Sequence, residues 1–232
     1  MINYLVNFFD YFHKKRIIKK INQINPSKKI DFFFDIGAHK GESIMFFNKH
    51  LVLKNVYSFE PSKNNFNILS EKIDYIKKKN HNIGINLENL AVGTETKKVY
   101  YNYLSETSSS TLKEINKKSK YYKRKEKFFG KITNEIQYIN QICFYDYIKK
   151  NKIEKIDFLK IDTEGYEYEV IKGLSRFISN VKIILFEHHY DDMLIKDYKY
   201  SDISKYLKSY GFKQAFKAKM PFRKSFEYIF VK

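Results

Sequence analysis

Two periodicities alternate along this chain. Short apolar runs occur at 30–36 (IDFFFDI), 55–60 (NVYSFE), 155–162 (KIDFLKID) and 181–187 (VKIILFE). They are too short and too rich in aromatic and β-branched residues for helices, and each reads as a buried strand. Between and after them lie amphipathic stretches at 42–51, 62–79, 165–174 and 201–210, which read as helices. In the second of these, Phe66, Leu69, Ile73 and Ile76 recur at helical spacing. Ser201 and Asp202 are the expected caps of the last helix, and Gly211 its stop. INLENLAV (85–92) and KVYYNYL (98–104) add strands separated by a turn at Gly93 and Thr94, and 212–218 with 226–232 closes the chain as a strand pair. This order predicts an α/β, Rossmann-like fold. Its central sheet is mostly parallel with helices on both faces, and the C-terminal strand pair is antiparallel.

Two regions stand outside the alternation. Residues 1–27 read as a basic amphipathic helix, apolar first and then cationic at His13, Lys14, Lys15, Arg16, Lys19 and Lys20. It has no basic leader or small-residue cleavage site, and Asp10 interrupts it, so a cleaved signal peptide is not expected. Either it packs on the domain with a solvated cationic end, or residues 1–20 associate weakly with a membrane surface. Residues 105–136 carry a Ser/Thr run and then nine Lys or Arg between Lys113 and Lys131, far more than an ordinary connection needs. They form a lid or an excursion from the main domain at 28–232.

Sheets of this kind bind ligands beyond the carboxyl ends of their strands. The first strand ends in Asp35-Ile-Gly37-Ala-His-Lys-Gly41 and runs directly into a helix. Gly37 permits a sharp turn and close approach to a ligand; Gly41 relieves crowding at the helix start. The spacing matches neither the dinucleotide nor the triphosphate loop. It suits a ligand with a carboxylate for the helix N-terminus and an ammonium near an acid. Glu60 ends the second strand, 23 positions after Gly37, where two carboxylate oxygens can face a ribose diol. The strand at 155–162 leads into a turn crowded by Asp162, Glu164 and Glu167, able to cap a helix or bind a cation or ammonium. The strand at 181–187 delivers Glu187, His188 and His189 beside it, and alternation lets only one of each neighbouring pair face a given pocket.

Composition bounds these readings. A chain of 232 residues, 43% hydrophobic and 30% charged, suits one well-buried domain. The single Cys143 excludes an internal disulfide framework and a cysteine zinc cluster, and fits a reducing cytoplasm, the expected location. The net charge of +18 raises nucleic acid as a partner, but only four of 44 basic residues are Arg. Arg is the residue suited to bidentate phosphate contacts, so nucleic acid is set aside as the main partner.

These motifs, FDIGAHKGES, FEPSKNNFNIL, NLAVG, SSSTL, FLKIDTEGYEYEVIKG and ILFEHH, in this order, resemble the FkbM-type methyltransferases, over roughly residues 31–190. The resemblance implies the class I methyltransferase fold and S-adenosyl-L-methionine as cofactor. It implies that Asp35, Gly37 and Gly41 hold the methionine end and Glu60 the ribose, that Ala91 lies near the adenine, and that Asp162 borders the methionine moiety. It also implies O-methylation of a glycan, sugar or other small-molecule acceptor. For the proton acceptor the reading names Glu187 or His188, with Glu164 as an alternative; a divalent ion on Asp162 and Glu164 is weighed and not adopted. Two rivals remain: an RNA methyltransferase gripping its substrate with 113–131, and a non-catalytic binding module.

Overall fold

The computed structural model describes residues 2–79 and 82–232; Met1, the first residue of the expected N-terminal helix, lies outside them. The chain runs α1 (Ile2–Ile24), β1 (Lys29–Ile36), α2 (Glu42–His50), β2 (Val52–Phe59), α3 (Lys63–Lys79), β3 (Gly84–Glu88), β4 (Ala91–Gly93) and β5 (Lys97–Leu104). It continues through β6 (Glu114–Ile115), α4 (Lys120–Phe129), β7 (Asn134–Cys143), α5 (Phe144–Lys150), β8 (Ile156–Ile161) and α6 (Glu167–Gly173). Then come β9 (Val181–His189), β10 (Leu194–Ile195), α7 (Tyr200–Ser209), β11 (Lys213–Lys219) and β12 (Ser225–Val231).

The main sheet has seven strands in the order β11-β12-β9-β8-β1-β2-β3. Strands β3, β2, β1, β8 and β9 are parallel; β12 pairs antiparallel with β9, and β11 antiparallel with β12. The chain leaves β1 toward β2 and β3, then returns to β8 on the other side of β1. Strand order therefore reverses between β1 and β8, which opens a crevice at their carboxyl ends.

Alternation along the strands divides the core in two. Phe33, Phe158, Ile183 and Leu185 face Ile17 and Ile21 of α1, Ile44 of α2 and Leu69, Ile73 and Ile76 of α3. Phe34, Leu159, Ile184 and Phe186 face Phe144 and Ile148 of α5, Val170 of α6 and Ile203 and Leu207 of α7. Burial on both faces is why these strands read as continuous apolar runs and not as alternating ones.

Local readings needed correction in four places. The expected strand 85–92 is two strands in different sheets. Asn89 breaks it, its side-chain amide donating to the carbonyls of Glu60 and Pro61 (2.8 and 3.0 Å). Strand β7 and helix α5 follow the predicted excursion, β7 beginning within its last three residues, and β7 joins β4 and β5 in a second sheet, order β4-β7-β5. Helix α6 starts at Glu167, because Glu164 and Gly165 both take positive φ (50° and 93°) and cannot begin it. Helix α7 starts at Tyr200, so Ser201 is not its cap; Asp202 reaches back and accepts from the Lys199 N–H (2.8 Å).

Residues 105–136 are folded. Ile115, Tyr121, Tyr122 and Ile132 pack with Leu104, Met193 and Leu194 in a third apolar cluster, and the Ser119 hydroxyl caps α4 by accepting from the Tyr122 N–H (3.0 Å).

Candidate active site

A cavity of about 470 Å³ lies over the carboxyl ends of β1, β2 and β8. Gly37 forms its floor with φ +80°, and a Cβ there would stand 1.9 Å from the Asp162 carbonyl oxygen. No other residue permits this approach of β1 to β8. The N–H groups of Gly37 and Ala38 both donate to the Phe59 carbonyl (3.0 Å each), which ties the turn to the end of β2.

Glu60 lines the same cavity and is bonded to the turn that Gly37 opens. One oxygen accepts from the His39 N–H (2.8 Å) and the other from the Ser62 N–H (2.9 Å). The Asn65 side chain also bonds this carboxylate, and with two lone pairs on each oxygen the group keeps some acceptor capacity toward the cavity that it lines. Burial raises its pKa, against the lowering effect of those two amides. Ala91 is buried and lines the cavity beyond Glu60.

Asp35 and Gly41 do not line the cavity, unlike the places the resemblance implies for them, although Gly41 does relieve crowding at the helix start. Asp35 is fully buried and does not line the cavity; its Oδ1 lies 3.2 Å from the Lys160 ammonium. Burial pushes its pKa up to about 6, with Lys160 opposing, so it is ionised at neutral pH. Lys160 also donates to the Gly37 carbonyl (3.2 Å) and stands 3.4 Å from Asp162 Oδ2. Asp35 thus positions Lys160, and of the two only Lys160 lines the cavity, though it is itself buried. Gly41 caps α2 with φ +84°, and the missing Cβ makes room for Leu69, away from the cavity.

Beyond Asp162 the wall is acidic. His189 Nε2 lies 3.4 Å from Glu164 Oε2 and 3.5 Å from Glu187 Oε1, while Nδ1 lies 3.4 Å from Asp191 Oδ2. Burial pushes Glu164 up to about 8 and Glu187 up to about 7. Burial alone would lower His189, but Glu164 and Glu187 outweigh it and raise it to about 10. For Asp162, burial is outweighed by Lys160 and His189, and its pKa is lowered. Glu167 is committed to the turn, accepting from the Gly165 N–H (2.9 Å) and the Tyr198 hydroxyl (2.7 Å).

His188 is not part of this wall. Alternation along β9 sends Glu187 and His189 into the cavity and His188 to the opposite face, among the rings of Tyr190, Tyr198 and Tyr200. Burial there lowers its pKa to about 3. It cannot take a proton from anything in the cavity, and His189 holds the place assigned to it.

The far end of the cavity comes from both chain ends. Asp10 accepts two hydrogen bonds from Arg223 (2.9 Å each), His13 pairs with Glu227, and all four residues line the cavity. Their pairing spans more than 200 positions and leaves no local mark in the sequence. Lys160 did leave one: a lysine flanked by Leu159 and Ile161 within a buried parallel strand.

Among the described residues no group of three or more His, Cys, Asp or Glu is arranged to hold a metal ion.

Residues 35–213 match the Methyltransferase FkbM domain. No curated protein matches the sequence significantly. The fold is similar to that of a solved FkbM methyltransferase from Methylobacillus flagellatus KT, with TM-score 0.56 and 17% identity over 86% of this chain. The match spans 43% of that longer chain. It is also similar to magnesium protoporphyrin IX methyltransferase of Synechocystis PCC 6803, solved with bound S-adenosylmethionine (TM-score 0.53, 11% identity, 98% of this chain and 83% of that one). An rRNA methylase from Streptococcus thermophilus gives TM-score 0.50 at 8% identity, over 94% of each chain. These solved structures share the class I fold, and the domain match, covering more than three quarters of the residues, carries the assignment: the chain belongs to the FkbM methyltransferase family.

Proposed function

We propose that the chain is an S-adenosylmethionine-dependent O-methyltransferase acting on a hydroxyl of a glycan, a sugar or a small-molecule natural product. The observation that carries this reading is the Glu60 carboxylate, fixed by two backbone N–H donors and lining one cavity with the Gly37 turn. A diol needs two acceptor oxygens held at the end of β2, and a bulky nucleoside needs a floor without a Cβ. Glu60 would hold the ribose, Ala91 would border the adenine, and the Gly37 turn with Lys160 and Asp162 would hold the methionine end. Lys160 supplies a cation for a carboxylate and Asp162 an anion for an ammonium. Bound there, the cofactor supplies an electrophilic sulfonium methyl, so the protein need only align the acceptor and take up its proton. Alignment is the larger share, about 7–11 kcal/mol in well-ordered systems.

Glu187 is the proton acceptor in this reading. It lines the cavity, burial pushes it up to about 7, and a carboxylate poised near neutral pH can accept a hydroxyl proton as methyl transfer proceeds. His189, beside both Glu187 and Glu164, offsets the charge of a carboxylate that ionises there. RNA as acceptor has a smaller stacking platform than the sequence offers, because Tyr121 and Tyr122 of the lysine-rich segment are buried in an apolar cluster while Phe128 stays exposed. Calorimetric titration of the folded chain with S-adenosylmethionine tests the proposal. Saturable binding is expected, and absence of heat at millimolar ligand would remove the reading. Incubation with labelled cofactor and candidate glycans then identifies the acceptor.

A further inference from the structure

Helix α1 buries one stripe and exposes another. His13, Ile17, Ile18 and Ile21 are buried against the domain. On the other side Phe9, Phe12, Arg16, Lys19 and Gln23 recur at alternating intervals of three and four, and all five are exposed. Along this stripe the chemistry passes from aromatic to cationic to neutral polar. A helix that merely packs on a domain needs one apolar stripe, so an exposed aromatic end calls for a second surface.

The aromatic end is built from two parts of the chain. Phe9, Tyr11 and Phe12 are 43%, 51% and 51% exposed, and Phe222, from the turn before β12, is 62% exposed with its ring 5.4 Å from that of Phe9. Phe222 takes φ 59°, a conformation bulky residues seldom adopt, and its carbonyl accepts from Arg124 (3.1 Å). Next to these rings lie cations: Lys15, with its ammonium 5.3 Å from the Tyr11 ring centre, then Arg16 and Lys19. The one acid in α1, Asp10, is taken by the two terminal guanidinium nitrogens of Arg223. The exposed face therefore offers rings and positive charge, with no carboxylate of its own.

We propose that this face docks on an anionic lipid bilayer, with Phe9, Phe12 and Phe222 at headgroup depth and Lys15, Arg16 and Lys19 against the phosphates. Charge complementarity selects this occupant. In a symmetric dimer a second copy would set these cations against the same acid-free face, with nothing to neutralise them. Among the described residues no helix is long and apolar enough to cross a membrane, so α1 lies on the surface. Asp10, His13 and Lys14 line the cavity from the inner side of this helix, and Arg223 follows Phe222 in the chain, so docking holds the far end of the cavity one helix thickness, ~10–12 Å, from the bilayer. Resting further on the proposed O-methyltransferase reading, the acceptor becomes a hydroxyl compound carried on a lipid anchor.

Vesicle flotation of the full chain tests the docking directly. The probes are phosphatidylcholine vesicles and vesicles with about one part in three phosphatidylglycerol. Partition to the anionic vesicles only is expected. It should fall at least about tenfold in Phe12→Ser/Phe222→Asn, which removes two buried rings from the bound state. An Arg16→Glu/Lys19→Glu variant should also lose it. None of these four residues lines the cavity, so S-adenosylmethionine titration should not change; because Arg16 lies over the Phe216 ring and Phe222 packs on Phe9, that titration also serves as the check that each variant is folded. Three results would overturn the proposal: no partition of the wild type, equal partition of the aromatic variant (the net charge alone then suffices), or a concentration-dependent dimer that Phe12→Ser dissolves. Failure to bind S-adenosylmethionine would remove the enzymatic reading and leave the vesicle result standing.

Discussion

The Lys160 ammonium lies 3.2 Å from the Asp35 carboxylate, and neither side chain has meaningful access to water: 7% and 0% exposed. The pair joins β8 to β1 at the point where strand order reverses, and the same ammonium reaches Gly37 and Asp162. Burial raises the Asp35 pKa only to about 6 because Lys160 opposes it. Lys160→Met removes that opposition and leaves a buried carboxylate alone, at an expected cost of about 3–5 kcal/mol. Adding Asp35→Asn should recover most of the loss, since an amide needs no counter-charge. Urea unfolding of the two variants measures this; no recovery in the double variant would mean the pair is not coupled.

Glu60 makes a separate prediction about binding. Glu60→Gln preserves shape but replaces one acceptor oxygen with an NH2 that cannot accept from the His39 or Ser62 N–H. Weakening of S-adenosylmethionine binding by about ten- to a hundredfold is expected, equivalent to the ~1.5–3 kcal/mol of a charge-assisted hydrogen bond. Calorimetry reads it. An unchanged affinity would place the ribose elsewhere.

The parts of this site that could be read in the sequence are those set by backbone geometry near strand ends. Gly37 and Glu60 follow from a turn and a strand tip, each defined by a few consecutive residues. Asp162, Glu164 and Glu187 were legible for the same reason. Which of His188 and His189 enters the cavity depends on the register of β9, and a one-residue choice reverses the answer. Asp35 looked like a ligand because its exposure is decided by Lys160, 125 positions later. Strand β7 of the second sheet leaves no apolar run like those of the central strands, because Ile136, Tyr138 and other β7 side chains are exposed. The contacts of α1 with Arg223 and Glu227 join the chain ends, and only the folded structure brings them together.

Gly37 and Gly211 share a positive φ, +80° and +86°, but not their surroundings. A Cβ at Gly211 would meet only the end of the Lys232 side chain at 3.7 Å, whereas at Gly37 it would meet backbone at 1.9 Å. Gly211→Ala should therefore cost about 1 kcal/mol, the left-handed penalty alone. Gly37→Ala adds a forced separation of β1 from β8 and should cost at least about 3 kcal/mol, with loss of cofactor binding. Equal melting temperatures for the two variants would contradict the close approach of these strands.

Glu164 gives the stability of the chain a distinctive pH dependence. Burial pushes it up to about 8 from an ordinary 4.5, so the folded chain keeps a proton that the unfolded chain releases near 4.5. Folding stability contributed by this group is complete below about pH 4.5 and declines as pH rises toward about 8. Glu164→Gln cannot ionise and lacks that decline. Wild-type stability measured against this variant should thus fall steadily between about pH 5 and 8, after which the difference levels off. The same substitution removes one of the carboxylates that raise His189 to about 10, so the imidazole should titrate at lower pH in the variant. Urea unfolding across pH, with the His189 ring followed by NMR, measures both effects. A stability difference independent of pH, together with an unmoved His189, would mean that Glu164 is solvated and apart from the acidic wall.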